Sequence, residues 1–179
     1  MITVLEASLL GLLVRGPQTG YELTKTMERG QFFRSGSPGA IYPALHRLEA
    51  AKHIWSQVQG RSHVYSITPA GRSALAQFCQ TPVTWKELFT EPTLLRMKLR
   101  GSPLLPSEER IAFLQNQRRE IQRAILESEL RRDEVSPEHI SWHIVTLAIE
   151  HLRLDQQFID DMLDGRITLT LPGKQKSTS

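Results

Sequence analysis

The sequence contains a single cysteine, Cys79, and lacks any long apolar run. One cysteine cannot form an intrachain disulfide, which is typical of proteins from a reducing compartment. No apolar stretch approaches the ~18 residues of a membrane-spanning helix, and no charged segment with a cleavage site marks a secretion signal. We therefore expect a cytoplasmic protein without a membrane partner, in which Cys79 packs between helices.

Motifs for catalysis and cofactor binding are also missing. The sequence has no G-x-S-x-G, no P-loop and no nucleotide-binding glycine pattern. His139 and His143 have the i, i+4 spacing of a helical metal site, but no third ligand accompanies them on the same face. We predict no enzyme activity, no cofactor and no metal site, and interpret both histidines as solvated or interface residues.

The excess of positive over negative charge lies wholly in the first 80 residues. Residues 1–80 hold eight Lys and Arg against four Glu, a net charge of +4, whereas the remainder holds fourteen against fifteen acidic residues, a net charge of −1. Contact with phosphate requires such a positive excess. Because the excess is modest, we expect binding of nucleic acid to depend on dimerisation.

The segment from Ser37 to Leu48, SPGAIYPALHRL, predicts an amphipathic helix with an unusual outer face. Ser37 is a good N-cap and Pro38 suits the first helical position. Buried positions recur at i, i+4 and i+7. The opposite face carries Gly39, Ala40, Tyr42, Pro43, His46 and Arg47. Small and hydrogen-bonding side chains permit close approach, as in a recognition helix in a major groove, although alone they also fit an ordinary amphipathic helix.

The surrounding pattern favours the recognition helix. Gly and Pro punctuation and hydrophobic periodicity predict an ordered series of helices and strands across residues 1–80. The predicted helices are 3–14, 21–28 and 37–51, the strands 54–58 and 63–68, and a further helix runs from 69 to about 78. Three helices, a β-hairpin and a fourth helix are the order of a winged helix-turn-helix domain.

Short motifs throughout this region carry a family resemblance. They are Leu9-Leu10-Gly11-Leu12-Leu13, Gly16-Pro17, Gly20-Tyr21-Glu22-Leu23, Ser37-Pro38-Gly39, Ile41-Tyr42-Pro43-Ala44-Leu45, Arg47-Leu48-Glu49 and Tyr65 through Thr68-Pro69-Ala70-Gly71-Arg72. In this order and spacing, the first 80 or so residues resemble the PadR family of bacterial transcription regulators. The resemblance implies a dimeric DNA-binding regulator, often responsive to small aromatic or hydrophobic effectors.

Two features depart from the family pattern. Lys52 stands where the family has a helix-ending glycine, so the turn is either strained by roughly 1 kcal/mol or differently shaped. The hairpin loop is less basic than usual, because Ser62 and His63 occupy positions where basic residues are expected. Arg61 is then left as the phosphate contact of the wing.

The second half of the chain predicts a different, wholly helical organisation. We assign 81–106 to a linker and short helices, 107–165 to a hairpin of two long amphipathic helices, and 166–179 to a flexible tail. The hairpin is too thin to bury both apolar stripes. A second copy would cover them and give a two-fold dimer. Packing against the chain's own winged helix is the alternative.

These observations predict a mainly α-helical protein with a small β-hairpin, acting as a repressor relieved by a small molecule. The predicted contacts to double-stranded DNA on the recognition helix are Ser37, Gly39, Ala40, Tyr42, Pro43, His46 and Arg47, and Arg61 is the contact on the wing. Tyr21 and Lys25, on the second helix, are predicted to contact the DNA backbone. Trp85, Phe89 and Trp142 are candidates for stacking on a flat effector near the junction of the two halves. The alternative is a helix-turn-helix scaffold that binds a protein instead of DNA, which the salt dependence of binding would distinguish.

Overall fold

The computed structural model describes residues 1–29 and 38–167. The elements in chain order are α1 (Val4–Leu13), β1 (Gln18–Thr19), α2 (Gly20–Arg29), α3 (Pro38–Ala50), β2 (Ile54–Gln59), β3 (Ser62–Ile67), α4 (Pro69–Gln80), α5 (Glu87–Thr90), α6 (Pro92–Gly101), a 3-10 turn (Ser102–Leu104), α7 (Ser107–Asp133) and α8 (Ile140–Leu163). The predicted fold class is confirmed: the chain is mainly α-helical with a small antiparallel sheet. Among the described residues, no helix is both long and apolar enough to span a membrane.

The chain forms two compact units. The first contains Met1–Thr81 together with Arg96–Leu105, and the second contains Pro82–Leu95 together with the described residues from Pro106 onward. The segment 81–106, predicted as a linker with short helices, is thus divided between the two units. The boundary falls within α6, after Leu95.

The first unit is built around α1, which is buried along almost its whole length. Four leucines, Leu9, Leu10, Leu12 and Leu13, are at most 1% exposed. The helix contacts α3, α4 and β3. Ser8 donates its hydroxyl to the Met97 sulfur at 3.2 Å, which joins α6 to this core. The nearly continuous apolar sequence of α1 follows from burial on all sides.

The sheet has the strand order β1-β3-β2 and includes a strand that the sequence did not predict. Gln18 and Thr19 pair with Tyr65 and Val64 on β3. Two residues are too few for an alternating pattern to be visible. Thr19 also caps α2, because its hydroxyl oxygen accepts the Glu22 N–H at 3.2 Å, while Glu22 Oε2 accepts the Thr19 backbone N–H at 2.8 Å. The β2–β3 hairpin is the predicted wing, with Gln59 opposite Ser62.

The turn after α3 is a left-handed cap on a residue that is not glycine. Lys52 has φ +58°. Its N–H donates to the Glu49 carbonyl at 2.9 Å, and the His53 N–H donates to the Leu48 carbonyl at 2.9 Å. These two bonds define a Schellman motif with Lys52 at the left-handed position. Of the two predicted possibilities, the strained turn is therefore the correct one.

Replacing Lys52 by glycine should stabilise the protein. Glycine adopts positive φ without the steric cost of a Cβ, so we expect Lys52→Gly to raise the free energy of unfolding by roughly 1 kcal/mol. The midpoint of urea unfolding measures this change. Lys52→Ala keeps the Cβ and removes the charge, so it should bring no comparable gain. An equal gain from both variants would attribute the effect to charge and contradict the conformational explanation.

The second unit is an antiparallel pair of long helices with a short segment packed on it. Ion pairs join Arg118 to Asp160 and Arg153 to Glu129 across α7 and α8. Gln117 is fully buried. Its Oε1 accepts the Val83 N–H at 2.7 Å, and its Nε2 donates to the Val83 carbonyl at 3.1 Å. The buried apolar residues between the helices are Phe113, Leu114, Ile121, Ala124, Ile149, Leu152, Ile159 and Met162.

The two long helices begin in different ways. The first helical residue of α7 is Ser107, Pro106 precedes it, and no side chain caps this end. Helix α8 begins at Ile140. His139 caps α8, because its Nδ1 accepts the Ser141 N–H at 3.1 Å.

Candidate nucleic-acid interface

Helix α3 has one buried and one open face, as its sequence predicts. Ile41, Ala44, Leu45 and Leu48 are at most 1% exposed and fix the helix in the core. The outer face is exposed at Gly39, Tyr42, Pro43, His46 and Arg47 and half-buried at Ala40. Ser37, the predicted cap and DNA contact, lies outside the described residues. The small side chains near the start of α3 leave its first turns open to close approach by another surface.

Tyr42 links the open face of α3 to the start of α2. A Cβ added to Gly20 would lie 2.8 Å from Tyr42 Cε1 and 3.2 Å from its hydroxyl oxygen. A side chain at position 20 would therefore force the tyrosine ring to shift, whereas glycine lets the ring lie over the first residue of α2. The ring remains 44% exposed, so one edge packs on α2 while the rest faces outward.

Tyr21 and Lys25 extend this surface along α2. Tyr21 is 67% exposed, and the Lys25 ammonium lies 5.4 Å from the centre of its ring and 3.5 Å from its hydroxyl. A cation over a tyrosine ring is held near the helix surface. The structure thus brings two predicted contact residues together beside the glycine that supports Tyr42. We refer to Tyr21, Lys25, Tyr42 and His46 as the α2–α3 surface.

Arg47, another predicted DNA contact, forms an ion pair with a carboxylate of α1. Its Nε donates to Glu6 Oε1 at 2.7 Å, while the side chain as a whole stays 57% exposed. The T-x-x-E capping pattern of Thr3 and Glu6 is visible in the sequence. The pairing with Arg47 is not, because it joins helices that are distant along the chain.

The tip of the wing is a two-residue turn. Gly60 has φ +61° at the first central position, as a type II′ hairpin turn requires. Arg61 follows it and is exposed. This arrangement presents one cation at the far end of the hairpin, as the sequence predicts.

The three aromatic residues proposed for effector contact lie in the second unit but not together. The backbone N–H of Trp85 donates to Glu120 Oε2 at 2.8 Å. The half-buried Trp85 ring has the Lys86 ammonium and the Arg123 guanidinium each 5.5 Å from its centre. The centre of the Trp142 ring instead lies 5.7 Å from the guanidinium carbon of Arg132. Arg123 and Arg132 are about 14 Å apart along α7 at the rise of an α-helix. The two tryptophans therefore occupy different levels of the hairpin, and Phe89, near Trp85 in sequence, is 43% exposed.

Cys79 has the environment of a structural thiol. It is fully buried, and burial raises its pKa to about 12, although the nearby Lys98 ammonium acts in the opposite direction. Gly101 packs so closely that an added Cβ would clash with Sγ. A thiol of this pKa is protonated near neutral pH and is a poor nucleophile. Within residues 1–29 and 38–167, no three His, Cys, Asp or Glu side chains cluster as a metal site.

Comparison with known families identifies this domain. Residues 9–77 match the model of the transcriptional regulator PadR-like family, within the first unit. The match lies in the winged-helix region and covers less than half of the chain. A stretch of 45 residues is 53% identical to transcriptional regulator Rv3488 of Mycobacterium tuberculosis, covering 23% of this chain and 42% of that protein. The chain thus matches less than half the length of this relative.

Solved structures of PadR-like proteins resemble the chain over most of its length. Bacillus subtilis PadR in complex with operator DNA is 20% identical, with a TM-score of 0.41 over 92% of this chain and 99% of that one. The same PadR in complex with p-coumaric acid is 21% identical, with a TM-score of 0.40 over 90% and 94%. The PadR-like regulator BC1756 of Bacillus cereus is 20% identical, with a TM-score of 0.41 over 90% and 96%.

Proposed function

We propose that this protein is a sequence-specific DNA-binding repressor. The observation that carries the proposal is the α2–α3 surface, an exposed aromatic and cationic patch on the helix-turn-helix of a PadR-like domain. Helix α3 enters the major groove with its small N-terminal residues nearest the bases. Tyr21, Lys25 and Arg61 contact phosphates on either side. Because operator DNA lies in the cytoplasm of bacteria, the protein acts there.

A second copy of the chain completes the DNA-binding unit. On α8 the exposed apolar residues are Ile140, Ile144, Leu147, Leu154 and Phe158, each at least 44% exposed. With His151 they recur at alternating intervals of four and three residues, the heptad spacing of a helix–helix seam. Leu126 and Leu130 add an exposed apolar pair on α7, each 57% exposed. A two-fold dimer through this apolar face would present two α3 helices to a palindromic site.

We expect Tyr42→Ala to weaken specific DNA binding by about 1–3 kcal/mol. The duplex is one selected from a random-sequence library by the wild-type protein, and fluorescence anisotropy gives its affinity. Tyr42→Phe keeps the ring over Gly20 and removes only the hydroxyl, so it separates hydrogen bonding to DNA from packing. Leu45→Ala is the core control and should chiefly lower stability, by roughly 2–5 kcal/mol.

The outcome for DNA decides between the proposal and a protein-binding scaffold. Unchanged affinity of a folded Tyr42→Ala protein would show that the α2–α3 surface does not read the duplex. If the wild type selects no sequence and its affinity for DNA has no salt dependence, the scaffold is the better description.

Breaking the apolar face of α8 should yield a monomer. Leu147 is 58% exposed at the middle of the heptad pattern, so Leu147→Glu would place a charge inside the dimer interface. Sedimentation at micromolar concentration should show a dimeric wild type and a monomeric variant. Gln77→Glu adds the same charge to an exposed position on α4 and should remain dimeric. A monomeric wild type would remove the two-fold model.

The effector is a flat, mostly apolar molecule that stacks on Trp85. The Lys86 ammonium and the Arg123 guanidinium each lie 5.5 Å from the centre of this ring, and this positive charge suits an aromatic ligand bearing negative charge. Such a ligand relieves repression only if it binds the DNA-free form more tightly than the DNA-bound form.

Screening by tryptophan fluorescence tests the effector site. A ligand on Trp85 should quench the emission of wild type and of Trp142→Phe equally, and Trp85→Phe should abolish that quenching and the loss of DNA affinity. If no phenolic or polyaromatic compound changes either signal, the protein is a constitutive repressor. Quenching that survives Trp85→Phe but not Trp142→Phe would place the site at Trp142, near Arg132 in the last turn of α7.

A further inference from the structure

Glu6 is the one carboxylate that joins the beginning of α1 to the last turns of α3 among the described residues. Its Oε2 accepts the Thr3 N–H at 2.9 Å, while its Oε1 accepts Arg47 Nε at 2.7 Å. The residue is 7% exposed. A nearly buried carboxylate with two charge-assisted or capping bonds has little freedom to move. The two helices are therefore connected at a defined point outside their leucine contacts.

The electrostatics keep this connection ionised at neutral pH. Burial disfavours the charged form of Glu6, but the Thr3 N–H and the Arg47 guanidinium together outweigh it and hold the pKa below its ordinary value of 4.5. A carboxyl with a lowered folded-state pKa stabilises the fold above its unfolded-state pKa, and this stabilisation is lost as the pH falls through the folded value. Arg47 thus faces an anion throughout the pH range in which DNA binding is measured.

We infer that Arg47 acts in DNA recognition as a positioning residue and not as a DNA contact. This inference rests on the proposed function of α3 as the recognition helix. The ion pair anchors the C-terminal turns of α3 to α1 and sets the angle at which Tyr42 and His46 are presented. The apolar stripe of α3 fixes its depth in the core, whereas a directional bond from Nε restricts its rotation and sliding.

Glu6→Gln distinguishes a positioning role of Arg47 from a phosphate contact, because the two roles predict different changes in DNA affinity. Glutamine has the same shape and keeps the capping box at Thr3, but it removes the charge that holds Arg47. If Arg47 contacts phosphate, the variant frees the cation and removes a nearby negative charge, so affinity should stay equal or rise. If Arg47 positions α3, affinity for the selected duplex should fall.

The experiment measures affinity for the selected duplex against salt concentration for wild type, Glu6→Gln, Arg47→Gln and the double variant. We expect each single change to weaken binding about three- to tenfold, with no further loss in the double variant, because both remove one interaction. The slope of log affinity against log salt should not change. Arg47→Lys should fail to restore affinity, since lysine lacks the Nε–H donor.

A phosphate contact would give the opposite pattern. Arg47→Gln would then lower the salt slope by about 1, Arg47→Lys would restore most of the affinity, and Glu6→Gln would not weaken binding; any of these results overturns the inference. Thermal melts of all variants exclude unfolding as the cause. The Arg61→Gln wing variant is the matched control and should lower the slope. If wild type selects no duplex at all, the proposed function fails first and the inference falls with it.

Discussion

Burial of α1 supports the rest of the winged-helix unit. Fully burying a leucine side chain contributes about 1.5–3 kcal/mol, and four leucines of this helix are essentially inaccessible. Helices α3 and α4 and strand β3 pack on α1, and Met97 of α6 reaches it as well. Helix α3, which carries Tyr42 and His46 of the surface proposed to meet DNA, is therefore fixed on this apolar support.

Local chemistry made much of the fold predictable. Pro38 begins α3, Thr68 caps α4 with Pro69 at its first position, and Gly60 forms the hairpin turn. Each of these residues has a conformational preference that acts over one to four residues. For the turn at Lys52 the sequence allowed either a strained left-handed cap or a different shape, and only the structure, with φ +58° at Lys52, decides for the cap.

Features that depend on distant contacts were not predictable. Strand β1 exists only because Tyr65 and Val64 pair with it. Helix α8 begins late because His139 caps it, although Ser136 and Pro137 have a stronger N-terminal signature. The placement of Arg47 depends on a carboxylate in another helix. On the candidate interface, composition identified the exposed face of α3, but the direction of each long side chain required tertiary structure.

Residues 96–105 belong to the first unit although they follow part of the second unit in the chain. This arrangement limits where the chain can be cut or recombined. Lys98 donates its ammonium to the Thr81 carbonyl at 2.6 Å and lies 4.8 Å from the centre of the Phe78 ring, while Gly101 packs on Cys79. The segment that matches the family model ends at residue 77, whereas the first compact unit also includes residues 96–105. A recombination event or protease cut just after that segment would strip the domain of part of its own core, and modules exchanged between regulators would have to carry α6 with them.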